Sequence, residues 1–177
     1  MPALTLQARI RNAIRDVPDF PKPGIVFKDI TPVLADAILF RETTDAMARV
    51  FDASRVSHVL AIESRGFILG APVAQRLGAG LVLARKRGKL PRPTLREEYA
   101  LEYGTDGLEI HADALPAGSR AVIVDDVLAT GGTAAAAAAL VRAAGAELIG
   151  FSFLIVLGFL DGRRRVGLGN VSALIEY

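Results

Sequence analysis

Residues 122–133 read VIVDDVLATGGT. The β-branched run Val122–Val124 favours a strand, and two adjacent carboxylates, Asp125 and Asp126, follow it directly. A turn of small residues comes next. Six consecutive alanines, Ala134–Ala139, then favour a helix and permit close packing on a sheet. The pattern is a strand, a tight loop and a helix N-terminus. The backbone N–H groups of Ala129–Thr133, with the positive end of the helix dipole, suit a phosphate monoester. Gly131 and Gly132 let the backbone come close, and Thr130 and Thr133 add hydroxyl donors. Asp125 and Asp126 stand about one sugar length upstream, where they can accept hydrogen bonds from ribose hydroxyls, directly or through a metal-bound water. No Lys follows the glycines, so this is not a Walker loop.

Composition narrows the class. The chain has 177 residues, enough for one domain with a substantial core. It is 51% hydrophobic and 23% charged, a globular balance rather than a disordered one. A formal net charge of +2 carries no global nucleic-acid signature. Cys is absent, which excludes disulfides and thiolate metal sites. The N-terminus interleaves Arg9, Arg11 and Arg15 with apolar residues and has no signal-peptide core. The uncharged stretch Leu148–Leu160 is too short for a membrane span and reads as a buried strand. The expectation is a soluble, cytoplasmic protein with neither membrane nor nucleic acid as partner.

Leu6, Ile10, Ile14 and Val17 recur at helical spacing and predict an amphipathic helix over 4–16. Residues 18–24, PDFPKPG, predict an irregular segment. A helix is expected over 37–51 with Asp36 as its N-cap. Strands are expected at 58–62, 80–84, 121–124, 147–157 and 171–175, with helices at 66–77 and 133–144. The basic, Pro-containing run RKRGKLPRPTLREE (85–98) reads as a long mobile loop, and 99–103 with 108–112 as a hairpin. Alternating strands and helices predict a three-layer α/β/α fold on a mainly parallel sheet. Such sheets bind ligands beyond the carboxyl ends of their strands. Residues 1–177 are read as one domain. Within it, 1–35 form an N-terminal helix and base-pocket segment, and 85–107 a flexible catalytic loop and hairpin.

The string 122–133 closely resembles the phosphoribosyl-pyrophosphate (PRPP) loop of the type I phosphoribosyltransferases. Four further segments, FPKPGIVFKDITPVL (20–34), ESRGFILGAPVA (63–74), RKRGKLPRPTL (85–95) and YALEYGTDGLEIHADAL (99–115), resemble the adenine phosphoribosyltransferase family in that family's order. The resemblance implies a type I phosphoribosyltransferase fold with a flexible hood loop. It also implies purine salvage, with adenine and PRPP giving AMP and pyrophosphate in the presence of Mg²⁺. The metal would be bound through PRPP, with Asp125 and Asp126 reached through water. Homodimers are common in the family, and the N-terminal helix and Arg85 loop are candidate interface elements.

Displacing pyrophosphate from the anomeric carbon builds positive charge on the sugar and negative charge on the leaving group. Catalysis is then positioning and electrostatic stabilisation. Pyrophosphate calls for cations, and Arg offers bidentate geometry. The resemblance places Arg65, Lys86 and Lys89 on pyrophosphate, with Arg85 reaching across a dimer interface. It implies a non-proline cis peptide in the turn Glu63–Ser64–Arg65–Gly66. It gives Glu102 the proton exchange with the purine and puts Tyr103 near the ribose and phosphate. The base pocket is expected from Val26, Phe27 and Lys28, with Leu157 packing on the purine. Phe27 is suited to stack on a purine face, and the backbone of Val26 and Lys28 to read its edge. The family usually has Arg at position 28, and commonly Glu where this chain has Val156. On residues alone, RKRGK reads equally as a solvated basic loop, and Glu102 as an outward strand residue. His58 and His111 have no partner at metal spacing. Two rival functions share the loop: a PRPP-sensing regulator that binds nucleic acid, and a transferase of another base.

Overall fold

The computed structural model describes residues 4–100, 105–167 and 170–177. Helix α1 (Leu6–Ala13) is capped by Thr5, whose hydroxyl accepts from the Ala8 amide at 3.2 Å. The helix ends short of its predicted limit. Ile14 turns extended, and strand β1 (Arg15–Pro18) pairs antiparallel with β2 (Val26–Asp29). All four residues of β1 are exposed, so no apolar alternation marks it in the sequence. The Pro-rich segment 19–25 is the turn of this ribbon. Helix α2 (Thr31–Ala35) begins at a Pro-bearing first turn, where a missing N–H costs nothing. Helix α3 (Ala37–Arg49) starts as its cap predicts, with Asp36 accepting from the amides of Ile38 and Leu39 at 3.0 and 2.9 Å.

The rest of the chain alternates. It runs through β3 (His58–Ile62), α4 (Arg65–Leu77), β4 (Gly80–Lys86), β5 (Thr94–Ala100), β6 (Thr105–His111), β7 (Arg120–Leu128), α5 (Gly132–Ala143) and β8 (Glu147–Val156). A 3₁₀ turn at Gly158–Leu160, α6 (Gly162–Val166) and β9 (Val171–Glu176) complete it. Among the described residues the main sheet has the order β5-β6-β4-β3-β7-β8-β9. Strands β4, β3, β7, β8 and β9 are parallel, and the β5–β6 hairpin is added antiparallel at the β4 edge. Much of the segment 85–98 is thus strand and not loop. Arg85 and Lys86 end β4, and β5 starts at Thr94. The basic side chains hid these strands because their partners are acidic residues rather than a core.

Side chains alternate across the sheet into two cores. On one face Leu60, Ile62, Ile123, Phe151 and Phe153 pack beneath the alanines of α5. On the other, Val59, Val122, Val124 and Leu154 meet α1, α3 and α4. Each fully buried large side chain contributes roughly 1.5–3 kcal/mol by leaving water. The layers are α/β/α, as the alternation predicts. Val156, where the family commonly has Glu, is buried in the first core at 1% exposure.

The topology also opens a crevice. Strand β7 pairs with β3 only as far as Val124, opposite Ala61, yet continues beside β8 to Leu128. Asp125 and Asp126 therefore lie within β7, not beyond it, at the level where the β3 side of the sheet has parted. Carboxyl ends of parallel strands at such a parting are where ligands bind.

Candidate active site

A cavity of about 570 Å³ fills this crevice. Four pieces of chain line it: Ile25 with Val26–Lys28 of β2, Ile62–Ser64 with Arg65 at the start of α4, the end of β7 with Ala129 and Thr133, and Lys86 with the hairpin residues Tyr99, Asp106 and Leu108. Leu157, just after β8, also lines it. A smaller recess of about 90 Å³ adjoins it, lined by Ala129, Thr130, Gly131, Gly132 and Thr133. Gly131 takes φ +79°, a conformation that favours glycine, and helix α5 starts at the next residue without a side-chain cap. The first N–H groups of α5 have no helical acceptor, and they point at the recess together with the helix dipole.

Arg65, the first residue of α4, joins two parts of the cavity. Its Nε donates to Asp126, a carboxylate buried to 5% exposure. Its guanidinium carbon stands 4.8 Å from the centre of the Phe27 ring, which also meets Phe20 edge-on at 5.1 Å. The Asp125 carboxyl packs against Gly66: a Cβ built there would come within 2.8 Å of Asp125 Oδ1. Burial pushes the Asp125 carboxyl well above the usual carboxylate range, and the neighbouring Asp126 charge adds to the shift. The Glu63–Ser64 peptide is cis, as expected for this turn.

The predicted pyrophosphate cations divide. Lys86 reaches the cavity, where its Nζ lies 3.0 Å from Asp106 Oδ2, and this carboxylate raises the lysine's pKa. Arg85 and Lys89 do not line the cavity. Glu63 holds both, with Arg85 Nη2 at 3.1 Å and Lys89 Nζ at 2.8 Å, and it also accepts from the Lys86 amide at 3.1 Å. Burial works to raise the Glu63 pKa, but these donors outweigh it and hold the carboxyl at about 2. Lys28 turns its ammonium to Asp16 at 2.6 Å and over the Tyr177 ring at 4.1 Å. Glu102 and Tyr103 lie outside the described residues.

Sequence reasoning missed Glu63, Tyr99 and Asp106. Tyr99 and Asp106 face each other as Cα partners across the β5–β6 hairpin, and the Tyr99 hydroxyl donates to Asp106 Oδ2 at 3.2 Å. The Thr133 hydroxyl is a second partner of the phenol. The sequence carries a signal for this pair, a tyrosine and an aspartate flanking Gly104, but the strands run over Thr94–Ala100 and Thr105–His111 rather than the expected 99–103 and 108–112. Among the described residues, no group of three or more His, Cys, Asp or Glu is placed to hold a metal ion. Asp125 and Asp126 line the cavity side by side.

Residues 32–168 match the family profile of the Phosphoribosyl transferase domain. The chain is 58% identical over 168 residues to the adenine phosphoribosyltransferase of Anaeromyxobacter sp. (strain Fw109-5), covering 95% of each. It superposes on the crystal structure of the adenine phosphoribosyltransferase from Thermoanaerobacter pseudethanolicus with a TM-score of 0.94. Identity there is 51%, with coverage of 98% of this chain and 100% of the other. The Saccharomyces cerevisiae enzyme, complexed with an imino-altritol bisphosphate and adenine, superposes with a TM-score of 0.91 at 38% identity, covering 96% and 98% of the two chains.

Proposed function

The chain belongs to the adenine phosphoribosyltransferases, and from that premise we propose how its own residues carry the reaction: transfer of the 5-phosphoribosyl group from PRPP to N9 of adenine, giving AMP and pyrophosphate. The observation that supports this division of labour is a single cavity bounded by an aromatic-bearing strand, an arginine turn and an anion-cradling loop.

The 5′-phosphate sits on the amides of Ala129–Thr133 with the Thr130 and Thr133 hydroxyls. Asp125 and Asp126 take the ribose hydroxyls, with Tyr103 near the ribose and phosphate. Phe27 and Leu157 sandwich the purine. The Lys28 side chain is committed to Asp16 and Tyr177, so reading of the base edge falls to the main chain at Val26 and Lys28. Arg65 and Lys86 receive pyrophosphate, joined by Arg85 and Lys89 once Glu63 releases them. As N9 attacks the anomeric carbon, the bond to the pyrophosphate oxygen breaks through an oxocarbenium-like state, and Glu102 takes the purine proton. Two adjacent carboxylates without a third ligand suit Mg²⁺, which keeps its waters and binds mainly through substrate phosphates. When bound, it neutralises charge on the leaving pyrophosphate.

A homodimer belongs to this reading, and β4, which carries Arg85, adds apolar residues to the candidate interface. Ile10 and Ile14 of the α1 segment are buried in the chain's own core. Leu81 and Leu83 on β4 and Ile68 on α4 are among the exposed apolar residues. By alternation with buried Val82 and Ala84, both leucines point to the α4 side of the sheet. Light scattering on the purified chain tests it: a monomer at micromolar concentration overturns the dimer.

The activity test incubates the protein with PRPP, Mg²⁺ and each free base in turn. AMP and pyrophosphate formed from adenine alone support the reading. Turnover of another base, or saturable PRPP binding with no turnover, overturns it in favour of a different transferase or a sensor.

A further inference from the structure

The phosphate loop holds no basic side chain of its own, and two carboxylates, Asp125 and Asp126, stand beside it. A phosphate dianion placed there meets amides, hydroxyls and a helix dipole, but no full positive charge from the loop. The nearby cations have acidic partners: Arg65 has Asp126, and Lys86 has Asp106.

Helix α6 is pressed onto the back of this loop. A Cβ built on Gly162 would lie 2.0 Å from the Ala129 carbonyl oxygen, so the two backbones are in direct contact. The helix carries three successive arginines. Arg163 donates to the Val171 carbonyl at 2.9 Å and lies 3.3 Å from Glu176. Arg164 lies 3.7 Å from Asp161. Arg165 has no hydrogen-bond or ion-pair partner among the described residues. Its Cβ is 3.2 Å from a Cβ position built on Gly131, and its Cζ and Nη1 are each 3.7 Å from one built on Gly132. An unpaired guanidinium therefore rests on the residues that begin α5, beside the Tyr99 ring, which is 3.3 Å from the same Gly132 position.

We propose that Arg165 is a further binding residue for the 5′-phosphate, supplying from α6 the cation that the loop lacks. Arg165 is exposed and does not line the recess, so its side chain must turn from Gly132 toward the phosphate. The inference rests on the phosphoribosyl transfer proposed above and deepens its phosphate subsite.

The test compares Arg165→Gln, Arg165→Lys and, as a control on the same helix, Arg164→Gln, in the full chain. The readouts are KM for PRPP and adenine, and inhibition constants for AMP and pyrophosphate. Loss of one charge-assisted contact predicts a rise of about tenfold in KM for PRPP and in the AMP constant for Arg165→Gln. The pyrophosphate constant and KM for adenine stay within about twofold of the parent by the same reasoning, because neither ligand carries a 5′-phosphate. Arg165→Lys falls between, and Arg164→Gln matches the parent. The inference is overturned if PRPP and AMP are unaffected, or if pyrophosphate weakens in step with them. A parent protein that makes no AMP from adenine overturns the proposed function instead.

Discussion

Glu63 accepts from the Lys89 ammonium at 2.8 Å, tying the turn before α4 to the basic segment that follows β4. The same carboxylate holds Arg85, while Asp126 holds Arg65 and Asp106 holds Lys86. Each cation assigned to pyrophosphate is thus paired with an acid in the ligand-free chain. Binding then exchanges one anionic partner for another. The cationic side chains are kept near the cavity without leaving like charges unscreened against one another.

This arrangement has a pH signature. The Glu63 carboxyl is held at about 2, below its ordinary 4.5, so the folded chain binds fewer protons there than the unfolded chain. The stabilisation is complete above the unfolded value and is lost as pH falls from about 4.5 toward 2. Thermal melts across that window should show a steeper fall in Tm for the parent than for Glu63→Gln. Parallel curves would remove Glu63 from the acid transition.

Gly162 is predicted to be intolerant of any side chain. Its built Cβ meets the Ala129 oxygen at 2.0 Å and the Gly131 nitrogen at 3.1 Å, both backbone atoms of the phosphate loop. Gly162→Ala must push that loop or displace α6. Overpacking of this kind costs roughly 1–3 kcal/mol, or roughly 2–10 °C in Tm for a chain of this size. KM for PRPP should rise with it while KM for adenine changes less, because Phe27 is carried by β2 and not by the loop or α6. Unchanged PRPP kinetics would show that α6 does not set the loop.

The sequence was most legible where one physical signal dominated. The run VIVDDVLATGGT announces strand, loop and helix because β-branched residues, glycines and alanines each have strong local preferences. Asp36 announces α3 for the same reason. Strand β1 was invisible because its four residues are all exposed and, among the described residues, they pair with another short strand alone. The end of β4 and all of β5 looked like loop because Arg85, Lys86 and Arg96 are basic. Their partners Glu63, Asp106 and Glu109 are distant in sequence, and only the folded chain brings them together. Glu63 and Asp106 escaped notice for the same reason: their importance lies in which cations they hold.

Asp125→Asn together with Asp126→Asn should weaken PRPP binding. The double variant removes both carboxylates proposed to take the ribose hydroxyls and frees Arg65 from its partner. Loss of hydrogen bonds to charged acceptors predicts a fall of about tenfold or more in PRPP affinity. Titration calorimetry with PRPP and Mg²⁺ checks it. Equal affinity in variant and parent would mean that the ribose is held elsewhere.

Glu102 carries the largest predicted effect on turnover. N9 of adenine must lose a proton as it bonds to the anomeric carbon, and a positioned carboxylate that takes this proton contributes roughly 10²–10⁴-fold. Glu102→Gln keeps the size and hydrogen-bonding capacity of the side chain but cannot accept the proton. Turnover should therefore fall by about that factor, while PRPP affinity, set by the loop and by Asp125 and Asp126, stays near the parent value. The split distinguishes chemistry from architecture. A variant that loses PRPP affinity and turnover together has lost the shape of the hairpin rather than a proton acceptor. A variant with parental turnover takes Glu102 out of the mechanism and leaves solvent as the acceptor of the N9 proton.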